Sequence, residues 1–149
     1  MDHHCPWVCN CIGYFNYKFF LNMLCTTALT CDLIAVTSFP IVRACMESKE
    51  DNLEQLLYIL VSFFLVAALG IIITGFFSFH IYLLANAKTT IEYCEKKTTR
   101  DSKGNRVWDL GPMENIRKVI GDNMLGIIIP WAPTHLGDGL TFDINPNFN

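Results

Sequence analysis

The chain has 149 residues, enough for about one domain, and its 11 Lys and Arg against 14 Asp and Glu give a net charge of −3. This mildly acidic balance argues against a dedicated nucleic-acid-binding protein, which would carry a basic excess. Apolar residues make up 52% and charged residues 17% of the chain, and the mean hydropathy is +0.31. Ordinary soluble domains carry roughly 25% charged residues, so the composition fits neither a typical soluble globule nor a disordered tail.

Residues 1–18 form a head rich in cysteine, histidine and aromatic residues. One interpretation is a zinc site that uses four closely spaced ligands: His4, Cys5, Cys9 and Cys11. The other is a nucleophilic site in which His3 takes the proton of the Cys5 thiol and Asp2 orients the imidazole. The residues alone leave both interpretations open.

Two apolar segments follow the head. Residues 19–42 contain Asp32 as their only charged residue, and residues 56–84 contain no Asp, Glu, Lys or Arg. Because a helix of about 20 apolar residues crosses the hydrocarbon core of a bilayer, we predict transmembrane helices over both segments. A carboxylate at mid-membrane depth is costly unless it faces a bundle interior, so we expect Asp32 to pair there.

The charges of the flanking segments predict the orientation. The connecting loop 43–54 has two basic and four acidic residues, whereas residues 86–106 contain six basic residues. Basic segments stay in the cytoplasm, so the tail 86–149 and the head are expected on the cytoplasmic face and the loop outside it. Pro112 and Gly121 bracket a short helix in the tail. The sequence therefore predicts an all-α membrane protein with two transmembrane helices between a Cys/His-rich head and a short tail.

Three motifs carry a resemblance to a known family. The head reads DHHCPWV at residues 2–8 and NCIG at 10–13, followed by Asn16. Residues 89–92 read TTIE and resemble a TTxE motif, and residues 115–121 read NIRKVIG and resemble an NxxxVFG-like motif. In this order the motifs resemble those of the DHHC protein S-acyltransferases, or palmitoyltransferases.

The resemblance implies a two-step transfer of a fatty acyl group, expected to be palmitoyl. Cys5 takes the group from acyl-CoA and passes it to a cysteine of a membrane-associated substrate protein. The resemblance assigns His3 as the general base and Asp2 as its orienting partner. It implies a multi-pass protein with its active site on the cytoplasmic face of the Golgi, the endoplasmic reticulum or the plasma membrane. Its expected partners are acyl-CoA, substrate proteins and the bilayer, without nucleic acid.

Other residues receive supporting roles from the same resemblance. Thr90 is expected to hydrogen-bond Asp2, and Thr89 and Glu92 to support that contact. Asn115 is expected to hold the tail in place through backbone hydrogen bonds.

Five residues in the head and at the start of the first apolar segment receive binding roles. Trp7, Phe19 and Phe20 are placed to line the mouth of an acyl-chain slot, although Phe19 and Phe20 equally suit aromatic anchors at the membrane interface. His4 and Cys11 match ligand positions of one of the family's structural zinc sites.

The resemblance also implies missing parts. Family members have two further spans and most zinc ligands upstream of the DHHC sequence, so the chain resembles the C-terminal half of such an enzyme, and its zinc sites are expected to be incomplete. The alternative function is a catalytically incompetent membrane fragment that acts at most as a binding partner. A plain membrane anchor with a degenerate zinc head has no chemical need for the three motifs.

Overall fold

The computed structural model describes residues 1–47, 52–95, 100–131 and 137–148. The elements in chain order are strands β1 (His3–Cys5) and β2 (Asn10–Ile12), helices α1 (Tyr17–Glu47), α2 (Leu53–Ala85), α3 (Thr90–Glu95) and α4 (Pro112–Ile120), and a 3₁₀ turn at Met124–Ile127. The predicted helical class is confirmed. The structure adds one short hairpin, formed by β1 and β2, that the sequence analysis did not predict.

Helices α1 and α2 are the dominant elements, with 31 and 33 residues. At 1.5 Å per residue each is about 45–50 Å long, well beyond the hydrocarbon thickness of a bilayer of about 30 Å. Both are long and apolar enough to cross a membrane. The predicted spans 19–42 and 56–84 lie entirely inside them.

Both helices also extend into the segment predicted as a loop, residues 43–54. At the end of α1, Arg43 and Glu47 lie one turn apart and form an ion pair of 2.9 Å. At the start of α2, the Asn52 side chain accepts a hydrogen bond of 3.2 Å from the Gln55 N–H. These polar contacts let each helix continue beyond its apolar stretch.

The described chain divides into two compact units. The terminal unit comprises Met1–Asn22 and Ser78–Asn149, and the helical unit comprises Met23–Phe77. The large side chains that are fully buried all belong to the terminal unit: Leu21, Leu83, Ile120 and His80. The terminal unit therefore contains the head, the tail and the helix ends that lie between them.

In the helical unit, Asp32 lies at the middle of α1. Its Oδ2 accepts a hydrogen bond of 3.2 Å from the Thr74 hydroxyl of α2. A Cβ atom on Gly70 would lie only 2.8 Å from Asp32 Oδ1. The carboxylate thus fits against a position without a side chain, and the expected pairing of Asp32 is with Thr74.

In the terminal unit, the hairpin is antiparallel and pairs His3 with Ile12, His4 with Cys11 and Cys5 with Asn10. The turn between the strands occupies residues 6–9, and the Cys9 N–H donates to the Pro6 carbonyl over 3.3 Å. Cys9 has a φ of 49°, in the left-handed region that asparagine tolerates better than most residues. Cys9 therefore adopts a backbone conformation that is uncommon for residues other than glycine.

The predicted tail helix is confirmed as α4. It begins at Pro112 and is followed by Gly121, which has a φ of 100° and donates its N–H to the Arg117 carbonyl over 2.8 Å. Glycine adopts this conformation without steric cost, so Gly121 ends the helix.

The close approach of α1 to Gly70 gives a prediction about stability. Gly70→Ala should destabilise the protein by roughly 1–3 kcal/mol, because the added methyl group overpacks a position occupied by Asp32. Gly75→Ala is the matched control, since among the described residues no atom outside the adjacent part of α2 itself lies within 4 Å of its would-be Cβ. Thermal unfolding in detergent measures both variants, and equal melting temperatures would contradict this packing.

Candidate active site

The hairpin separates two sets of head residues onto opposite faces. Side chains alternate along a strand, so His3 and Cys5 share one face of β1 and His4 lies on the other. Cys5 is only 4% exposed, whereas His4 is exposed. Residues two apart in a strand are separated by about 6.6 Å along the backbone. The buried face therefore presents an imidazole and a thiol at neighbouring positions.

A buried carboxylate holds the imidazole of that face. Asp2 is 5% exposed, and its Oδ2 lies 2.6 Å from His3 Nδ1. Thr90 donates to both Asp2 oxygens, from its N–H over 2.9 Å and from its hydroxyl over 2.7 Å. The Asp2 N–H donates to the Ile12 carbonyl over 2.8 Å. Asp2 thus joins the hairpin to α3, 88 residues further along the chain.

Thr89 and Glu92 act on α3 and not on Asp2 directly. The Glu92 carboxylate accepts from the Thr89 N–H over 2.8 Å, and the Glu92 N–H donates to the Thr89 hydroxyl over 3.1 Å. This reciprocal pair is a capping box, which fixes the first turn of a helix. It sets the position from which Thr90 reaches Asp2.

Aromatic rings also pack against the His3 ring. The ring centroids of Phe20 and His80 lie 5.2 Å and 5.6 Å from that of His3. The Tyr17 hydroxyl lies 3.1 Å from His80 Nδ1. His3 Nε2 is buried and has no hydrogen-bond partner among the described residues. An imidazole whose Nδ1 is hydrogen-bonded to a carboxylate, and whose Nε2 has no hydrogen-bond partner, is arranged to accept a proton at Nε2.

The contacts of His80 and Tyr17 were not predicted. A single histidine near the end of an apolar helix is usually a packing or interfacial residue, so the sequence predicts no site role for His80. No local pattern could have revealed the contact with His3.

The three residues expected to line an acyl-chain slot differ in their surroundings. Phe20 is buried beside His3, Phe19 is partly exposed, and Trp7 is 91% exposed on the hairpin turn. The structure therefore brings only Phe20 against the imidazole among the described contacts.

The outer face of the hairpin pairs the two expected metal ligands. His4 Nδ1 and Cys11 Sγ lie 3.6 Å apart across the strands. Zinc bond lengths of about 2.3 Å to sulfur and 2.0–2.1 Å to nitrogen give a tetrahedral edge of about 3.6 Å, so the pair fits two corners of a zinc site. The described residues contain no group of three or more His, Cys, Asp or Glu that could hold a metal ion. Among the described residues, His4 and Cys11 therefore form a pair with suitable spacing, and the assignment of this pair as zinc ligands stays a prediction.

Asn115 lies in the tail and fastens it to α2. Its amide donates to the Ala85 carbonyl over 2.9 Å and to Asp109 over 2.8 Å, and its oxygen accepts from the Leu110 N–H over 3.0 Å. All three amide contacts are local to the terminal unit, and two of them are made with the backbone.

The pKa of the Asp109 carboxyl is shifted by its surroundings. Burial raises the pKa of this carboxyl, but hydrogen bonds from Asn115 and the Gly111 N–H, together with the Arg106 guanidinium, outweigh burial, and the net pKa is lowered below its ordinary value. The Asp109 carboxylate is therefore stabilised by the folded tail.

Comparison with known proteins assigns the chain to a family. The model of the family described as DHHC palmitoyltransferase matches residues 1–97. The chain belongs to the DHHC palmitoyltransferase family.

Relatives within this family support the assignment beyond the matched region. The chain is 36% identical to palmitoyltransferase ZDHHC15 of Rattus norvegicus over 143 residues, which cover 95% of the chain and 42% of the relative. It is 33% identical to human palmitoyltransferase ZDHHC2 over 142 residues, which cover 95% of the chain and 38% of the relative. The chain thus spans about two fifths of the length of these DHHC relatives.

The lowered pKa of Asp109 predicts how tail stability depends on pH. Because its folded-state pKa lies below the unfolded value of about 3.9, the carboxylate contributes stability above that value and loses it as the pH falls through the folded-state pKa. Between about pH 5 and pH 2, the wild type should lose more unfolding free energy than Asp109→Asn, as measured by urea titration.

The exposed carboxylate of Asp122 provides the control for this measurement. Asp122→Asn should follow the wild-type pH dependence. An Asp109→Asn variant that loses stability in parallel with the wild type would contradict the role given to this carboxylate.

Proposed function

We propose that the chain carries the catalytic centre of a protein S-acyltransferase. It transfers a fatty acyl group, expected to be palmitoyl, from acyl-CoA to cysteines of membrane-associated proteins through an acyl-Cys5 intermediate. The observation that carries the proposal is the buried Asp2–His3 pair, which lies on the same strand face as the Cys5 thiol. The family and the relatives named palmitoyltransferase support the reaction class.

In the first step His3 Nε2 takes the proton of the Cys5 thiol, and the thiolate attacks the thioester carbonyl of acyl-CoA. The bond between the carbonyl carbon and the CoA sulfur then breaks. The imidazolium returns its proton to the departing CoA thiolate, which leaves free CoA and acyl-Cys5. Asp2 keeps the other imidazole proton on Nδ1 and stabilises the imidazolium.

The second step repeats the chemistry in the opposite direction. A thiol of the substrate protein gives its proton to His3 and attacks the acyl-Cys5 carbonyl. The Cys5 thiolate leaves and recovers the proton. A covalent intermediate of this kind gives ping-pong kinetics.

The surroundings of the site are consistent with the same proposal. The basic residues after α2 favour a cytoplasmic location for the head and the tail, where acyl-CoA is soluble and the acyl chain can enter the bilayer. Phe20 contributes to the apolar wall beside His3. His4 and Cys11 would hold a structural zinc together with ligands from outside the described residues.

Labelling with radioactive palmitoyl-CoA tests the proposed nucleophile. The wild type should take up label that hydroxylamine releases, and Cys5→Ser should lose it by about 10³-fold or more, because the covalent intermediate needs the thiol.

The matched control is Cys9→Ser, which removes an exposed thiol from the same hairpin and should retain the label. Equal labelling of the wild type and Cys5→Ser would remove the nucleophile assignment. A wild type without any label would show that the chain is the incompetent fragment.

The contact between Thr90 and Asp2 gives a second prediction. Thr90→Val keeps the shape of the side chain but removes the hydroxyl that donates to the buried carboxylate. Hydrogen bonds to charged groups contribute about 1.5–3 kcal/mol, so the acylation rate constant should fall about tenfold or more.

Thr90→Ser keeps the hydroxyl and should remain close to the wild type. Single-turnover acylation of Cys5 measures both variants. A Val variant as fast as the Ser variant would show that the backbone N–H of residue 90 suffices to position Asp2.

A further inference from the structure

His80 is the most deeply buried polar side chain of the terminal unit that has no part in the proposed reaction. It lies in α2, five residues before the helix ends, and is 1% exposed. Histidine is usually only partly buried in proteins, and a buried imidazole is costly unless its polar atoms are paired. Its burial beside the site therefore calls for a functional explanation.

Two aromatic rings, those of Phe20 and His80, pack against the His3 ring and against each other. The His80 ring is tilted by 37° against the His3 ring, with 5.6 Å between centroids. Phe20 stands edge-on to both, at 5.2 Å from His3 and 5.0 Å from His80. These separations lie within the range of favourable aromatic contacts. His3 thus contacts the Asp2 carboxylate through Nδ1 and packs its ring against a wall formed by Phe20 and His80.

The His80 ring is itself fixed. Its Nδ1 lies 3.1 Å from the Tyr17 hydroxyl of α1. The Tyr17 ring lies 5.9 Å from the His80 ring and stacks on Phe20 at 6.3 Å. The hydrogen bond and the ring contacts together anchor His80 between the start of α1 and the end of α2.

The wall restricts a rotation of the His3 imidazole that the Asp2 carboxylate alone leaves free. A single contact from Asp2 to His3 Nδ1 leaves the imidazole able to swing about that contact, which would move Nε2. Displacements of about 1 Å at a reacting group can cost a hundredfold in rate. A rigid ring against the imidazole removes this freedom.

We propose that His80, anchored by Tyr17, is a positioning residue that holds the His3 imidazole in the orientation required for proton transfer with the Cys5 thiol. The inference rests on the proposed acyltransferase function. It gives His80 no proton to exchange, and the ring acts through its contact with His3.

Two replacements of His80 distinguish a role in contacting the His3 ring from a role in exchanging a proton. His80→Ala removes the ring, so the single-turnover acylation rate constant should fall about 10–100-fold while the KM for palmitoyl-CoA changes less than about twofold. His80→Phe keeps an aromatic ring against His3 and should recover the rate to within about threefold of the wild type. A Phe variant as slow as the Ala variant would overturn the proposal, because the polar atoms would then be essential.

Two further outcomes would also overturn it. His80→Ala could keep the wild-type rate constant, or it could raise KM alone, which would make His80 a substrate-binding residue. Phe79→Leu is the matched control on the same helix, because Phe79 packs on His80 and Tyr93, and it should acylate like the wild type. Melting temperatures of all variants report whether each one folds.

Tyr17→Phe tests the anchor with little risk to folding, because it removes one oxygen. It should slow acylation about threefold in the wild-type background, no more than His80→Phe does, and have no further effect in the His80→Phe background, where the hydrogen bond is already lost. Equal effects in both backgrounds would contradict the anchoring role.

Alkylation of Cys5 by iodoacetamide, followed by mass spectrometry, separates this inference from the proposed function. If the wild type takes no acyl label, the proposed function fails. His80→Ala should still slow the alkylation of Cys5 about tenfold relative to His80→Phe, and equal alkylation rates would overturn the positioning role by themselves.

Discussion

The site depends on the single buried carboxylate of Asp2. Its two oxygens receive the Thr90 N–H, the Thr90 hydroxyl and the imidazole of His3. A carboxylate can be buried only when such partners replace its water. Because Thr90 lies 88 positions after Asp2 in the chain, the same contacts that make burial possible also tie the hairpin to the start of α3. Forming the site and folding the terminal unit are therefore one process.

The features set by local composition could be predicted from the sequence. Uninterrupted apolar residues identify 19–42 and 56–84, and a proline and a glycine at the right spacing identify α4, because each signal acts within a few residues. The helix ends were less predictable. Asn52 and the Arg43–Glu47 pair extend the helices through polar contacts that an apolar pattern does not contain.

The contacts around His3 likewise include some that the sequence predicts and some that it does not. The resemblance names Thr90 as a partner of Asp2, and the structure shows how the capping box of Thr89 and Glu92 places it. Neither His80 nor Tyr17 belongs to a motif quoted for the family, and 63 residues separate them. Their contact depends on how the ends of α1 and α2 meet within the terminal unit, and no periodicity in either helix encodes that meeting.

The hairpin explains why two kinds of chemistry seemed to compete for the same few residues. Because side chains alternate along β1, His3 and Cys5 lie on the buried face of the hairpin and His4 lies on the exposed face. On that exposed face, Cys11 of β2 is paired with His4. A register slip of one residue would exchange the two faces completely. A ligand held jointly by His4 and Cys11 would therefore stabilise the register that buries Cys5 beside His3, without contacting either. The four-ligand zinc interpretation is wrong in its use of Cys5, which lies on the buried face, but a zinc ligand pair of His4 and Cys11 is compatible with Cys5 as the nucleophile, and this outer pair can protect the geometry of the inner one.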